Sequence, residues 1–278
     1  MNHIPLKRFG QHFLRDNNHL RRIIELGQLE AGEPILEVGA GDGTLTRSLL
    51  ETGARVIAVE IDRNLIPNLH ALATDSPELE VREGDIMKMD LSLFPSPIKV
   101  IANLPYNIAS GLLADLCSRP VQFPFLLVMV QREVGERLAA QPGGKDYGTL
   151  TIWVGHWYEV KICRIIPPEA FRPPPKVVSA LVRLTSRSAS RVEVPDEKTY
   201  FRIVRTAFTH RRKTLINNLR TLSLPIDQTG APAGEGTAAQ EGKRGWQAVL
   251  EQAAVEPSRR AESLDPEEFA RIARALAQ

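Results

Sequence analysis

Three glycines stand close together between a short apolar segment and a stretch of helical periodicity. They are Gly39, Gly41 and Gly43, and they follow residues 34–38. Glycine allows a backbone to turn sharply and to approach a ligand closely, so this strand, loop and helix predict a site for a nucleotide-like cofactor. Dinucleotide-binding dehydrogenases have a similar loop, and an ordinary turn also needs glycine. The loop by itself therefore leaves the cofactor class open.

Two acidic residues that follow later apolar segments narrow the choice of cofactor. Glu60 follows residues 55–59, where a carboxylate can accept hydrogen bonds from both ribose hydroxyls of an adenosine. Asp85 follows residues 79–82, where it can accept a hydrogen bond from an adenine amine. Either acid alone could simply cap the next helix. Acids at two successive strand ends favour an adenosine-containing cofactor, and a dehydrogenase would give Asp85 no role.

A fourth apolar segment, residues 99–102, leads into a loop that should meet the cofactor, because ligands of open α/β sheets bind at the carboxyl ends of strands. The loop suits methylation of an adenine amine, a poor nucleophile whose lone pair is delocalised into the ring. The Asn103 side-chain carbonyl and the Leu104 backbone carbonyl can accept the two N–H bonds and aim the lone pair at a sulfonium methyl group. Pro105 stiffens the turn, and Tyr106 offers a face for stacking. Ordinary strand-to-helix turns also use Asn and Pro, but the cofactor motifs favour the catalytic interpretation.

The elements that would position these residues alternate along the first part of the chain. Short apolar strands are predicted at residues 34–38, 55–59, 79–82, 99–102 and 125–130. Helices are predicted at residues 43–51, 62–73, 108–117 and 132–140. The alternation predicts a parallel, doubly wound α/β sheet of Rossmann-like architecture.

The pattern changes in the second half of the chain. Further strand-like runs occupy residues 151–154, 158–165 and 177–184. A proline-rich segment, residues 167–175, should form a stiff, extended loop. Beyond it, helices are predicted at residues 196–209, 211–222, 244–253 and 265–276, with a flexible Gly/Ala-rich insertion at 229–242. We therefore predict a catalytic domain over residues 1–186 and a smaller, all-helical domain over residues 187–278.

Positive charge is concentrated in two separated segments, although the whole chain has a formal net charge of only +2. Residues 1–22 carry five cations against one acid, and residues 187–220 carry nine cations against three acids. Within the second segment, Arg211, Arg212 and Lys213 are adjacent. Such segments are typical of a face that binds a polyanion, although cations also serve simply to solvate helix surfaces.

Composition argues against a membrane-spanning protein and against a disulfide-stabilised secreted protein. The longest apolar run, residues 123–130, is too short to span a bilayer, and the N-terminus has no apolar stretch of signal-peptide length. Cys117 and Cys163 are far apart and give neither a metal-site spacing nor a disulfide framework. We expect a cytoplasmic protein that needs no metal and binds no membrane.

Together these motifs make the chain resemble the ribosomal RNA adenine dimethyltransferases, and most closely their bacterial small-subunit members. The resemblance extends from about residue 5 to residue 220 and continues more loosely to the end. It rests on the glycine loop, Glu60, Asp85 and residues 103–106, and on three further stretches, residues 8–14 (RFGQHFL), 171–177 (FRPPPKV) and 208–215 (FTHRRKTL). Many members have Asn where His12 stands.

The resemblance implies a Rossmann-like, S-adenosylmethionine-dependent methyltransferase domain followed by a smaller helical domain that binds the ribosome. The implied reaction is N6,N6-dimethylation of two adjacent adenosines in a hairpin loop near the 3′ end of 16S rRNA. It takes place in the small (30S) subunit or its precursor, as a late step of ribosome biogenesis. S-adenosylhomocysteine is the implied by-product, and we expect the enzyme to act as a monomer.

The resemblance also implies roles for individual residues. Contacts to the cofactor are implied for His12, Leu14, Gly39, Gly41, Glu60, Asp85 and Asn103. Phe171 is expected to stack on the target adenine opposite Tyr106, beside the catalytic Asn103, Leu104 and Pro105. Contacts to RNA are expected from Lys7, Arg8, Arg211, Arg212 and Lys213, which can hold phosphates.

Three alternatives remain open at this point. A large-subunit (23S) rRNA methyltransferase of the macrolide-resistance type shares the loop at residues 103–106, which we call the catalytic loop. The long helical C-terminal part and the Asn103–Leu104 pair favour the small-subunit enzyme. A non-catalytic assembly or transcription factor could use the same fold, but the intact loop at residues 103–106 argues against it. A nicotinamide-dependent dehydrogenase is the third alternative, and cofactor titration would separate it.

Overall fold

The computed structural model describes residues 11–222 and 238–278, with residues 238–244 described by their backbone alone. The chain divides into two compact units. The first unit contains the described residues up to Ala139 together with Trp157–Ser188, and the second contains Ala140–His156 and the described residues from Ala189 onward. The sequence did not predict that residues 140–156 belong to the C-terminal unit.

The first unit is built on nine strands in two sheets. In chain order the strands are β1 (Phe13–Leu14), β2 (Pro34–Val38), β3 (Arg55–Glu60), β4 (Leu79–Glu83), β5 (Lys99–Asn103), β6 (Phe125–Gln131), β7 (Tyr158–Ile166), β8 (Phe171–Arg172) and β9 (Ser179–Ser186). Seven of them form one sheet in the order β4-β3-β2-β5-β6-β9-β7, and β1 pairs with β8 in a short separate ribbon.

The large sheet is parallel on one side and antiparallel on the other. Strands β2 to β6 pair in parallel, as predicted, whereas β9 runs antiparallel to both of its neighbours, β6 and β7. The strand order reverses direction between β2 and β5, because β3 and β4 lie on one side of β2 while β5 and β6 lie on the other. Such a switch point opens a crevice at the carboxyl ends of the strands.

Helices of the first unit follow the strands, as a doubly wound fold requires. They are α1 (Asn17–Gly27), α2 (Thr44–Leu50), α3 (Ile66–Asp75), α4 (Ala109–Cys117) and α5 (Arg132–Leu138). Helix α1 begins where the Asp16 carboxylate accepts hydrogen bonds from the backbone N–H groups of Asn18 and His19. Its buried residues, which include Leu20 and Ile23, pack in the core beneath the sheet.

The second unit contains helices and no strands among its described residues. Its helices are α6 (Thr149–Trp157), which ends one residue inside the first unit, α7 (Glu197–Ala207), α8 (Leu215–Leu219), α9 (Ala238–Gln252) and α10 (Pro266–Leu276). Tyr200, Trp246 and Phe269 are fully buried and form the centre of its core. Helix α10 begins with a capping box between Asp265 and Glu268, followed by proline in the first turn.

Three predicted elements differ from the structure. Residues 151–154 lie in helix α6 and not in a strand, because a short apolar run fits a buried helix as well as a buried strand. Residues 211–213 lie in a turn before α8 and not within a helix. Of the predicted loop at 229–242, residues 229–237 lie outside the described residues, while residues 238–242 belong to α9.

Candidate active site

A cleft of about 240 Å³ lies at the carboxyl ends of strands β2, β3, β4 and β5. Nine of the residues singled out in the sequence line it: His12, Gly39, Gly41, Glu60, Asp85, Asn103, Leu104, Pro105 and Tyr106. The glycine loop, the two acids and the catalytic loop are distant in sequence, and the sheet brings them into one cavity.

The glycine loop leaves no room for side chains at two of its positions. Gly39 and Gly41 have φ angles of 71° and 62°, a region that residues with a Cβ rarely adopt. A Cβ on Gly41 would lie 2.8 Å from the ring of Phe13, and one on Gly39 would lie 3.2 Å from Pro105. The backbone of the loop therefore forms part of the cleft wall itself.

Glu60 is only 4% exposed, and its carboxylate is surrounded by backbone donors. One oxygen accepts from the N–H of Gly41 at 2.7 Å, and the other accepts from Asp62 at 2.8 Å and Ile61 at 3.0 Å. Burial raises the pKa of Glu60, while these three donors act in the opposite direction. A carboxylate offers about four acceptor positions, so the group can shape the glycine loop and still accept from a ribose hydroxyl.

Asp85 caps a helical turn and also lines the cleft. Its carboxylate accepts from the Met87 N–H at 3.0 Å and starts a single helical turn at Ile86–Lys88. The same residue lines the cleft at the end of β4. Capping and ligand binding are therefore compatible at this position.

The catalytic loop is fixed to the sheet and to the N-terminal segment. The Asn103 Nδ2 donates to the backbone carbonyl of His12 at 2.8 Å. The Leu104 N–H donates to the Met129 carbonyl on β6 at 3.1 Å, which sets the orientation of the Leu104 peptide. Both residues line the cleft. The loop thus presents its acceptor groups from a rigid support.

Tyr106 is held by a residue that the sequence analysis missed. Its hydroxyl lies 2.7 Å from the hydroxyl of Ser179, which is fully buried at the start of β9. Burial raises the pKa of Tyr106, so the hydroxyl remains protonated near neutral pH. The ring of His12 stacks beside Tyr106 with a centroid distance of 5.8 Å. Nothing in the sequence marks a lone Ser in a strand as the partner of this tyrosine.

Residues 11–15, which we call the N-terminal strap, cross the cleft and are anchored on both sides. Gln11 donates to the buried Asp62 at 2.7 Å, a partner that the sequence did not indicate. His12 Nδ1 donates to the Pro173 carbonyl at 2.7 Å. The Arg15 backbone N–H donates to Ala170 at 2.8 Å, and its guanidinium pairs with Asp42.

Two predicted contacts, those of Leu14 and Phe171, are not found in the cleft. Strands β1 and β8 pair with Leu14 opposite Phe171, and both side chains lie in the core, 3% and 0% exposed. Successive residues of a strand point to opposite sides, so Phe13 lines the cleft while Leu14 turns away from it. In this conformation the Leu14 side chain faces away from the cleft and the Phe171 ring is buried, so neither side chain has the place in the cleft that the sequence predicted.

The basic cluster at Arg211, Arg212 and Lys213 is exposed in the turn before α8. Arg211 is 3.3 Å from Glu262, and no ion pair is found for Arg212 or Lys213 among the described residues. Lys7 and Arg8 lie outside the described residues.

The polar groups of the cleft fit an adenosine-type cofactor. Carboxylates lie at the ends of β3 and β4, and in the glycine loop a Cβ on Gly39 or Gly41 would crowd the neighbouring atoms. Within residues 11–222 and 238–278, no group of three or more His, Cys, Asp or Glu residues could hold a metal ion. In the same part of the chain, no helix has the length and apolarity needed to cross a membrane.

The sequence matches the family model described as "Ribosomal RNA adenine dimethylase" over residues 4–234. It is 40% identical to "Ribosomal RNA small subunit methyltransferase A" of Syntrophotalea carbinolica, over 99% of this chain and 98% of that protein. It is 39% identical to the protein of the same name from Streptococcus sanguinis, over 97% and 91% of the two chains.

Solved structures show the same similarity. A dimethyladenosine transferase from Plasmodium falciparum superposes with a TM-score of 0.77 at 28% identity, covering 94% of this chain and 96% of that one. The 23S rRNA methyltransferase ErmE superposes with a TM-score of 0.68 at 27% identity, covering 96% of this chain and 100% of that one.

Proposed function

The chain belongs to the ribosomal RNA adenine dimethylase family, and from this membership we propose that it dimethylates the N6 amines of two adjacent adenosines in 16S rRNA, within the small (30S) ribosomal subunit or its precursor. The observation that carries the proposal is that the glycine loop, both acids and the catalytic loop line one cleft. The small-subunit relatives are 39% and 40% identical to this chain, whereas the 23S rRNA methyltransferase ErmE is 27% identical, which favours the small-subunit substrate over the 23S alternative.

The residues of the cleft divide between cofactor binding and positioning of the target base. S-adenosylmethionine, when bound, supplies the methyl group and leaves as S-adenosylhomocysteine. In this proposal Glu60 and Asp85 accept hydrogen bonds from its ribose and adenine, and both residues line the cleft beside Gly39 and Gly41. These four residues line the cleft at the ends of successive strands, as an adenosine site requires.

For the target adenine, the cleft offers two acceptors and a stacking surface. The Asn103 side-chain oxygen and the Leu104 backbone carbonyl can accept the two amine hydrogens, which turns the nitrogen lone pair away from the ring. Tyr106 supplies an aromatic face, and Pro105 stiffens the turn between these groups. Much of the rate enhancement then comes from orientation and does not require a metal.

Beyond the cleft, the cluster Arg211, Arg212 and Lys213 is proposed to contact RNA phosphates, with Lys7 and Arg8 as a second contact. Exposure of the cluster, with Arg212 and Lys213 free of ion pairs among the described residues, supports this role. We also propose that the enzyme acts as a cytoplasmic monomer.

Transfer of tritiated methyl groups to small subunits from cells that lack the enzyme tests the proposed function. Label should appear in 16S rRNA and map to two adjacent adenosines, each carrying two methyl groups. Naked 23S rRNA serves as the competing substrate. Label in 23S rRNA alone would favour the large-subunit alternative, and no transfer to either RNA would favour a non-catalytic assembly factor.

A further inference from the structure

The amide group of Asn103 is engaged by the protein at only one of its two ends. Its Nδ2 donates to the His12 backbone carbonyl at 2.8 Å. A carbonyl oxygen can only accept a hydrogen bond, so the amide cannot turn over and keep this contact. No described residue donates a hydrogen bond to the Asn103 Oδ1. Asn103 itself lines the cleft.

The carbonyl that receives this hydrogen bond is itself held in place. It belongs to the N-terminal strap, in which Gln11 is bonded to Asp62 and the His12 ring to the Pro173 carbonyl. One residue beyond β1, the Arg15 N–H is bonded to the Ala170 carbonyl. Anchors on both sides of His12 therefore fix the position of its carbonyl oxygen.

We propose that the backbone carbonyl of His12 is a positioning group for methyl transfer, because it fixes the Asn103 amide with its oxygen free to accept from the target amine. The N-terminal strap, which covers the cleft, and the catalytic loop then reach the arrangement needed for methyl transfer together. If the strap opens, Asn103 loses the hydrogen bond to His12, the one side-chain hydrogen bond that it makes to a described residue. This inference rests on the proposed function of the cleft.

Replacement of Asn103 by Asp gives a direct test, because it keeps one acceptor oxygen and removes the donor. At high pH the ionised carboxylate would place an oxygen 2.8 Å from the His12 carbonyl, where two acceptors repel each other. At low pH the protonated carboxyl can donate to His12 and present its other oxygen to the amine. If Asn103 were needed only as an acceptor, the variant would be active at high pH.

The measurements are single-turnover methyl transfer and hydrogen exchange of residues 11–15, both between pH 6 and pH 9. Relative to the wild type, the Asn103→Asp rate should be at least about tenfold lower at high pH and should rise by about tenfold per pH unit towards low pH until the carboxyl is protonated. Exchange protection of the strap should recover over the same pH range. Asn68→Asp, the same charge change on the exposed surface of α3, should show a constant ratio.

Other titratable groups of the cleft affect the wild type and the Asn103→Asp variant alike, so they cancel in the ratio of the two rates. His12, Glu60, Asp85 and Tyr106 line the same cavity and are present in wild type and variant alike. Their contributions appear in the wild-type profile, which serves as the reference at each pH.

Either of two outcomes would overturn the inference. The first is near wild-type rate and strap protection in Asn103→Asp at high pH. The second is recovery of strap protection at low pH without recovery of rate, since the bond would then anchor the strap without serving chemistry. Failure of the wild type to methylate RNA would instead reject the proposed function, while the exchange data would still report on the anchor.

Discussion

Glu60 lines the cleft and also supports the loop that forms it, since its carboxylate accepts three backbone hydrogen bonds. Glu60→Ala should weaken S-adenosylmethionine binding by roughly 1–3 kcal/mol, because charge-assisted hydrogen bonds are lost. Calorimetry measures the affinity. Glu83→Ala is the matched control, since Glu83 lies opposite Glu60 in the neighbouring strand and outside the cleft. Unchanged affinity in a folded Glu60 variant would contradict the assignment.

The contact between Tyr106 and Ser179 is a second feature at the residue scale. Ser179→Ala and Tyr106→Phe each remove one partner of the same hydrogen bond, which is worth about 0.5–1.5 kcal/mol. If the contact orients the ring for stacking, each variant should slow methyl transfer several-fold, and the double variant should be no slower than the slower single variant. Additive effects on the rate in this double-mutant cycle would show that the two hydroxyls act separately.

At the scale of elements, the β1–β8 ribbon determines which residues face the cleft. Because Phe171 is buried opposite Leu14, Phe171→Ala should destabilise the protein by about 3–5 kcal/mol, measured by urea unfolding. Phe171→Leu should restore most of that stability.

The methylation rate of Phe171→Leu separates burial from stacking. A rate near that of the wild type is expected from the structure, because a buried Leu can fill most of the same space. A stable but slow Phe171→Leu variant would indicate that the aromatic ring reaches the base in another conformation of β8.

Strands β2, β3, β5 and β6 could be predicted from the sequence because burial on both faces gives them largely apolar runs. The more exposed β4 could be predicted because it continues the alternation of strands and helices. The acids at their ends followed from the same pattern. Three features could not be predicted. The side of β1 that faces the cleft depends on its pairing with β8, Asp62 meets Gln11 across 51 residues, and the helix at residues 151–154 has the composition of a strand.

For the whole molecule, the buried Glu37 makes stability depend on pH. Burial raises the pKa of Glu37 from an ordinary 4.5 to about 8, and its Oε2 has no hydrogen-bond partner among the described residues. The unfolded chain releases the proton near 4.5 while the folded chain retains it, so this group lowers stability as pH rises from 4.5 to about 8.

Glu37→Gln should therefore match the wild type near pH 4.5 and exceed it at pH 8, by an amount on the order of a few kcal/mol. Urea unfolding across this pH range measures the difference. Glu51→Gln, at the exposed end of α2, should give no such trend. A stability difference that does not change with pH would show that Glu37 ionises normally in the folded protein.

The proposed RNA contact of the basic cluster lies in the second unit, whereas the cleft lies in the first. Replacing Arg211, Arg212 and Lys213 by Ala should weaken small-subunit binding and flatten its salt dependence. Each lost phosphate contact lowers the slope of log affinity against log salt by roughly 0.7–0.9. Since Arg211 already contacts Glu262, we expect a change nearer to two contacts than three.

Filter binding across a salt series, with cofactor affinity as a parallel measurement, tests this prediction. Cofactor affinity should stay constant. A control variant that removes Arg271 and Arg274, which pair with Glu268 and Glu267, should keep the wild-type slope. Wild-type binding by the triple variant would place the RNA contacts elsewhere, with Lys7 and Arg8 as the next candidates.

At the antiparallel end of the sheet, the strands cannot pair in the order in which they are synthesised. Strand β7 leaves the ribosome before β9, yet within the sheet it pairs with β9 alone. The chain therefore holds an unpaired strand until β9 has been synthesised and inserts between β6 and β7. Because β9 begins with Ser179, a nascent chain that ends before this residue already contains every residue that we propose to bind the cofactor but lacks the partner of Tyr106.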